Sequence, residues 1–325
     1  MGGPRLRRIK WGSVCITLIR GGTVMKIGIS VSSSYPDIAP NLAVNWMVAR
    51  TRAANAAGLD HLFVGDHHST KTPYFQNNVM LGRMLAEWGD KPFGALYLLP
   101  LWHPVLLAEQ VGTLAALAKG RFIMQCGLGD ARQGAALGVD MSRQVGLFVA
   151  ALKVMQALWR GETVDESTYW QLQRARISPL PSEPVEVWIG ALVAPAIARA
   201  ATLGDGWLAA PSLTPAQSAT AIRQYHEACA GASKAIGAAA IRRDILISET
   251  SQAAKRAAAP YLAAGYRGIP EEALLVGSVA EVADRLGQLQ QQGYTEVIVR
   301  NMSADQMESL KTIELLSEVK AALQR

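Results

Sequence analysis

From Met25 onward, short unbroken apolar runs alternate with longer stretches whose apolar residues return every third or fourth position. The runs are Lys26–Val31, His61–Gly65, Phe93–Leu99, Phe122–Cys126, Glu186–Ile189, Gly206–Ala209, Ile241–Ile247 and Glu296–Arg300. Most show no polar alternation, the pattern of parallel strands covered on both faces. The intervening stretches carry helix starts. Thr214-Pro215-Ala216-Gln217 and Ser278-Val279-Ala280-Glu281 are capping boxes. In the last stretch Met307, Leu310, Ile313, Leu316, Val319 and Leu323 fall on one stripe. Eight β-α units in this order predict an α/β fold, a closed (β/α)8 TIM barrel, with an open doubly wound sheet as the alternative.

Two segments depart from a minimal barrel. Residues 160–184 are polar and end in a proline-rich run, which predicts an insertion before strand five, a small hairpin over the barrel mouth. Residues 257–276 hold Gly265, Gly268 and Pro270, which predicts a mobile connection.

Composition adds bounds. Half of the 325 residues are hydrophobic and 18% are charged, ample for a large core. The net charge of +6 does not signal nucleic acid, because five basic residues and no acid lie in residues 1–24. That segment reads as a disordered N-terminal extension before a single domain over 25–325. No apolar run approaches the roughly 20 residues of a membrane span. Three distant cysteines imply neither a disulfide framework nor a zinc site, so no metal is expected and the cytoplasm is the default compartment.

In such barrels chemistry sits where strands end. Strand two ends in Gly65-Asp66-His67-His68. Adjacent histidines do not easily point at one ligand, so one faces the pocket and the other a neighbouring loop. Imidazole titrates near neutral pH and can donate or accept a proton, so one of the pair is a candidate acid or base, beside a purely structural or a metal-binding reading. Asp66 either orients it or caps the loop. Strand four ends in Gly127-Leu128-Gly129, where glycine lets backbone approach a ligand. Strand five ends in Gly190-Ala191-Leu192 before a helix, where free amides either receive a phosphate or form a tight turn. Tyr74, Phe75 and Trp102 are candidate pocket walls, hinting at an uncharged or amphipathic substrate. His103 reads as a cap or surface residue, and Cys126 as a small buried hydrophobe.

Six stretches in order resemble the luciferase-like monooxygenase superfamily of flavin- and F420-dependent oxidoreductases. They are residues 57–68, 98–129, 157–162, 187–190, 204–207 and 276–283. The resemblance implies that His67 stands at the reactive face of the cofactor ring. It implies that Gly127, Leu128, Gly129, Gly190, Ala191 and Leu192 hold the ring edge and phosphate. It also implies a non-proline cis peptide bulge at Ala95–Leu96. Such a bond costs about 3–4 kcal/mol. The chain departs from the family at Leu128, Gly146, Val149 and Ala150, where some flavin members carry charged residues, so phosphate binding falls mainly to backbone amides.

The implied activity is a monooxygenase using reduced FMN and oxygen on a small organic substrate, with a separate flavin reductase. The alternative is hydride transfer with coenzyme F420. A catalytically silent flavin-binding protein is a rival of another class, and a barrel enzyme acting on phosphorylated substrates is a further one. A homodimer is expected, with no nucleic-acid or membrane partner.

Overall fold

The computed structural model describes residues 24–324. The extension expected over residues 1–24 lies, but for Val24, outside the described residues. Eight parallel strands close into a barrel: β1 (Lys26–Val31), β2 (His61–Val64), β3 (Phe93–Leu98), β4 (Phe122–Gly127), β7 (Glu186–Gly190), β8 (Gly206–Ala209), β9 (Ala238–Ile247) and β11 (Glu296–Asn301). The pairing of β8 with β9 completes the circle, so the open-sheet alternative is excluded. All eight expected strands are present.

Between β4 and β7, helix α5 (Gln144–Trp159) is followed by an antiparallel hairpin of β5 (Val164–Glu166) and β6 (Leu172–Ala175). Arg143, just before α5, lies 4.4 Å over the ring of Tyr169 at the hairpin tip. A Cβ at Gly146 would collide with the Tyr169 hydroxyl. Gly146 thus admits the tip against the first turn of α5. The expected hairpin exists, and its tip contacts are with this helix.

The connection expected to be mobile is folded. It holds α8 (Ser251–Ala263), two short 3₁₀ turns and β10 (Leu275–Gly277), which pairs with the end of β9. Both capping boxes are in place, opening α7 (Pro215–Gly231) and α9 (Val279–Gln292). In α10 (Gln306–Leu323) the stripe holds at Ile313, Leu316 and Val319, but Met307 is 74% exposed. The described residues include no helix long and apolar enough to cross a membrane.

Register sorts the strand residues into two sets. Gly28, His61, Phe63, Gly94, Ile123, Trp188, Gly206, Ala240 and Ile298 share the inward set through their pairings. Phe63, Ile123, Trp188, Ala240 and Ile298 form a sealed inner layer, each at most 1% exposed. This layer divides the barrel into a closed floor and an open mouth.

The floor holds buried charge. His61 Nδ1 lies 3.4 Å from Glu296 Oε2, and Lys26 lies 3.3 Å from the other carboxylate oxygen. Burial pushes Glu296 up to about 7, against the pull of Lys26. Burial, helped by Lys26, holds His61 down to about 3. The two act oppositely on stability. The raised carboxyl favours folding below its ordinary 4.5 and loses that contribution as pH rises to about 7. The depressed imidazole contributes above its ordinary 6.5 and loses it as pH falls toward about 3. Glu296→Gln removes only the first. Its stability relative to the parent is therefore expected to grow between pH 4.5 and 7, by up to about 3 kcal/mol, and level off above. Urea denaturation at several pH values measures this. A difference that does not change with pH would refute it.

Candidate active site

Above the sealed layer the inward residues become part-exposed, which marks an open mouth at the strands' carboxyl ends. Around one half stand Gly65, Leu96, Gly127, Gly190 and Leu208. Around the other half, on β9, β11 and the end of β1, stand Arg242, Arg300 and Ser32. One side is small and apolar, and the other is cationic.

The loop after β2 is fixed by Asp66, which is 5% exposed. Its carboxylate accepts from Leu98 N and Trp102 Nε1, both at 2.8 Å, and from Asn77 Nδ2 at 3.3 Å. His68 Nε2 is 3.1 Å away. Asp66 therefore ties the β3 loop to the β2 loop and orients His68, not His67. The close Asp66 carboxylate raises the His68 pKa. His68 N donates to Gln133 Oε1 at 2.7 Å, and the His68 ring lies 5.3 Å from that of Trp102 in the β3 loop, so this side chain faces a neighbouring loop.

His67 takes the other direction. Its ring lies 5.5 Å from that of Tyr74, and its Nε2 is 3.3 Å from an Arg132 guanidinium nitrogen. Guanidinium can only donate, so Nε2 is the acceptor and carries the lone pair in this arrangement. Burial and then Arg132 lower its pKa, keeping the ring neutral over a wider range. Tyr74 bridges to Ser34 beyond β1, and its hydroxyl occupies the space a Cβ at Gly65 would fill. The Tyr74 hydroxyl thus stands at the mouth beside His67.

Other expected residues divide. Trp102 packs on Tyr97 and His68 and spends its N–H on Asp66. Phe75 lies 6.4 Å from Tyr35 and packs against the outer core. His103 is an exposed residue preceding α3 (Pro104–Leu117), without a side-chain cap bond. Cys126 is buried, and burial pushes its thiol up.

At β4, Gly127 faces the mouth and Gly129 has φ of 78°, while Leu128 packs against the core. A Cβ at Gly129 would meet Leu98 and Leu101, so the turn lies against the β3 loop. Asp130 caps α4 (Ala131–Leu137) and holds Gln133, the residue that grips His68.

Three expectations need correction. The described residues contain one cis peptide, Ser178–Pro179, so Ala95–Leu96 is trans. The β3–β4 ladder runs without a register shift from Phe93 to Leu98, leaving no bulge to hold a strained bond. Ala95 also pairs with Val64 and Met124 in the outward set, fully buried against the helices, and so does not face the mouth; Leu96 does. The Ala191 amide donates to Leu208 O at 3.2 Å and its carbonyl accepts from Trp207 Nε1 at 2.9 Å. It is therefore spent within the fold. Leu192 and Val193, before α6 (Ala194–Leu203), are exposed.

A flat ring cofactor fits the small side of the mouth. Gln125 points inward one layer below Gly127, is 4% exposed, and its Nε2 has no partner among the described residues. A buried donor of this kind calls for an acceptor. A Cβ at Gly190 would stand 3.1 Å from Cys126 O, so glycine lets β7 lie close against β4 at the mouth. Gln125, Arg132, Arg242 and Arg300 were missed in the sequence. Arg242 and Asp244, two apart within an apolar strand, carried the signal of inward polar positions. The described residues contain no group of three or more His, Cys, Asp or Glu arranged to hold a metal.

The chain is a member of the luciferase-like monooxygenase family, whose profile matches residues 22–271. An F420-dependent glucose-6-phosphate dehydrogenase of Beutenbergia cavernae is 30% identical over 187 residues, 54% of this chain and 55% of that protein. The chain spans about half the length of the curated relatives it matches. Among solved structures, an F420-dependent secondary alcohol dehydrogenase bound to an F420–acetone adduct superposes with a TM-score of 0.77 at 18% identity, covering 93% of this chain and 99% of that one. The oxygenating constituent of 3,6-diketocamphane monooxygenase from Pseudomonas putida, in complex with FMN, gives 0.76 at 18% identity, covering 91% and 97%. The two likenesses show the same fold.

Proposed function

We propose that this protein is an F420-dependent oxidoreductase that moves a hydride between the deazaflavin and a small organic substrate. The observation that carries this reading is the F420 dependence named for its curated relatives. The site supports it through a neutral His67 at the mouth. Bound F420 would supply the two-electron acceptor or donor. Gln125, Leu96, Gly127, Gly190 and Leu192 would hold it. His67 Nε2 would take the hydroxyl proton as the substrate carbon loses its hydride, and return it in the reverse direction. Arg132 keeps that nitrogen free of a proton beforehand. Tyr74 shields the ring of His67 from water on one side.

A second reading, oxygenation with reduced FMN delivered by a separate reductase, is supported by the FMN complex of a structural neighbour. Fluorescence titration of the full chain with F420 and with FMN separates the two. Binding of F420 at least about tenfold tighter than FMN, with turnover that consumes no oxygen, is expected. Tight FMN binding with oxygen uptake would overturn the reading. Binding without turnover would make the protein a silent carrier.

We also read residues 25–325 as one domain working in the cytoplasm, where buried Cys126 and Cys229 stay free. Exposed Val79 and Leu106, on neighbouring helices α2 (Asn77–Trp88) and α3, support a homodimer, which sedimentation can test.

A further inference from the structure

The cationic half of the mouth is built around one carboxylate. Asp244 is fully buried, and three guanidinium groups converge on it: Arg242 at 3.2 Å, Arg267 at 2.9 Å and Arg300 at 3.6 Å. Tyr266 adds a hydroxyl donor at 2.8 Å. Burial works against the Asp244 charge, but Arg242, Arg300 and Arg267 outweigh it and hold the carboxyl below its usual range. One negative charge thus faces three positive ones, a local excess of two. Arg267 meets solvent, whereas Arg242 and Arg300 are about one-fifth exposed and are left with positive charge that Asp244 alone does not balance.

The excess is aimed. Arg242 and Arg300 belong to the inward set on adjacent strands, Arg300 opposite Asp244 and Arg242 opposite Ile298 one step below, and both remain part-exposed at the mouth. Arg242 Nε is buried with no partner among the described residues. Arg300 donates to Ser32 Oγ at 3.2 Å, which turns its plane toward the end of β1. Both guanidinium groups act electrostatically on Tyr74, the neighbour of His67. The receptor and the acid–base group therefore open into one space, from opposite halves of the rim.

We propose that Arg242 and Arg300 receive an anionic group of the substrate, a carboxylate or phosphate, with Asp244 as the internal counter-ion that keeps both forks in place. Guanidinium is suited to such oxyanions because its donors match them two at a time. The inference rests on the proposed function for the ring on the glycine side. Of the uncharged or amphipathic substrate expected from the sequence, it favours the amphipathic one. Arg267 and Tyr266, from the turn after α8, hold Asp244 from above and so link the receptor to that turn.

Calorimetric titration of the full chain with inorganic phosphate, and separately with acetate, at low ionic strength tests this. Saturable binding of one of these probes is expected, and the tighter probe names the oxyanion. Arg300→Gln and Arg242→Gln should each weaken it by about tenfold or more, with partial recovery in Arg300→Lys. Asp244→Asn should tighten it, which a merely structural network would not do. Circular dichroism confirms folding, and the lysine variant serves where a glutamine variant fails to fold. Equal binding by parent and Arg variants, or no binding of either probe, would overturn the proposal. So would a loss of F420 or FMN affinity in Arg300→Gln, since the arginines would then serve the cofactor tail. Phosphate or acetate binding that depends on the arginines in a protein that binds neither cofactor would leave this inference standing and remove the proposed function.

Discussion

His67→Ala is expected to lower kcat by about 10²–10⁴-fold while leaving cofactor binding within a factor of about three. The reason is positional. His67 is the imidazole that the β2 loop turns toward Tyr74 and the mouth, whereas His68 is bound to the Asp66 side. Only a neutral ring can accept the substrate proton, so activity falls as pH drops through its pKa. Burial and the Arg132 charge hold that pKa below the ordinary 6.5. The acidic limb of kcat/KM is therefore expected below 6.5, and it should vanish in His67→Ala. Steady-state kinetics of both proteins across pH 5–9 measure it. An unchanged limb in the variant would assign the proton transfer to another group. His68→Ala serves as the contrast, with a smaller effect because its ring touches Trp102 and Asp66.

Asp66→Ala is expected to cost about 3–5 kcal/mol of stability. Deleting the carboxylate strands the buried Leu98 amide and the Trp102 indole N–H, each bonded at 2.8 Å in the parent. Each stranded donor costs about 1–3 kcal/mol, and the small cavity adds to that. Asp66→Asn should fall between, because its one oxygen can satisfy one donor while its amide opposes another. Chemical denaturation of the three proteins gives the order. A loss below about 1 kcal/mol in Asp66→Ala would mean that water replaces the carboxylate. The same change should blunt activity through displaced loops, since the β2 and β3 ends meet at this one side chain.

Much of the fold was legible because strand burial leaves a local trace. A parallel strand covered on both faces must be apolar at consecutive positions, so Lys26–Val31 or Phe122–Cys126 could be read without a partner in view. The capping boxes at Thr214 and Ser278 were equally local. Met307 was misread because periodicity shows a stripe but not where it stops meeting the core; the residue is exposed at the start of α10. Gly146 suggested a lost charge in the sequence and proved to be the space for Tyr169.

The chain by itself determined the alternation of strands and helices, the parallel α/β class, the resemblance to the family, and the strand ends where chemistry gathers. These follow from short-range pattern and from motifs a few residues long. Closure of the barrel was settled by the pairing of β8 with β9. Tertiary structure alone decided that Asp66 serves His68, that Arg132 reaches His67, that Ala95 turns away while Gln125 turns in, and that Ala191 has no amide to give. It also joined Arg242, Asp244, Arg267 and Arg300 at one rim. The physical reason is that hydrogen bonds and ion pairs act over about 3–4 Å between atoms that ring closure brings together from distant positions, and no local pattern records which strands become neighbours.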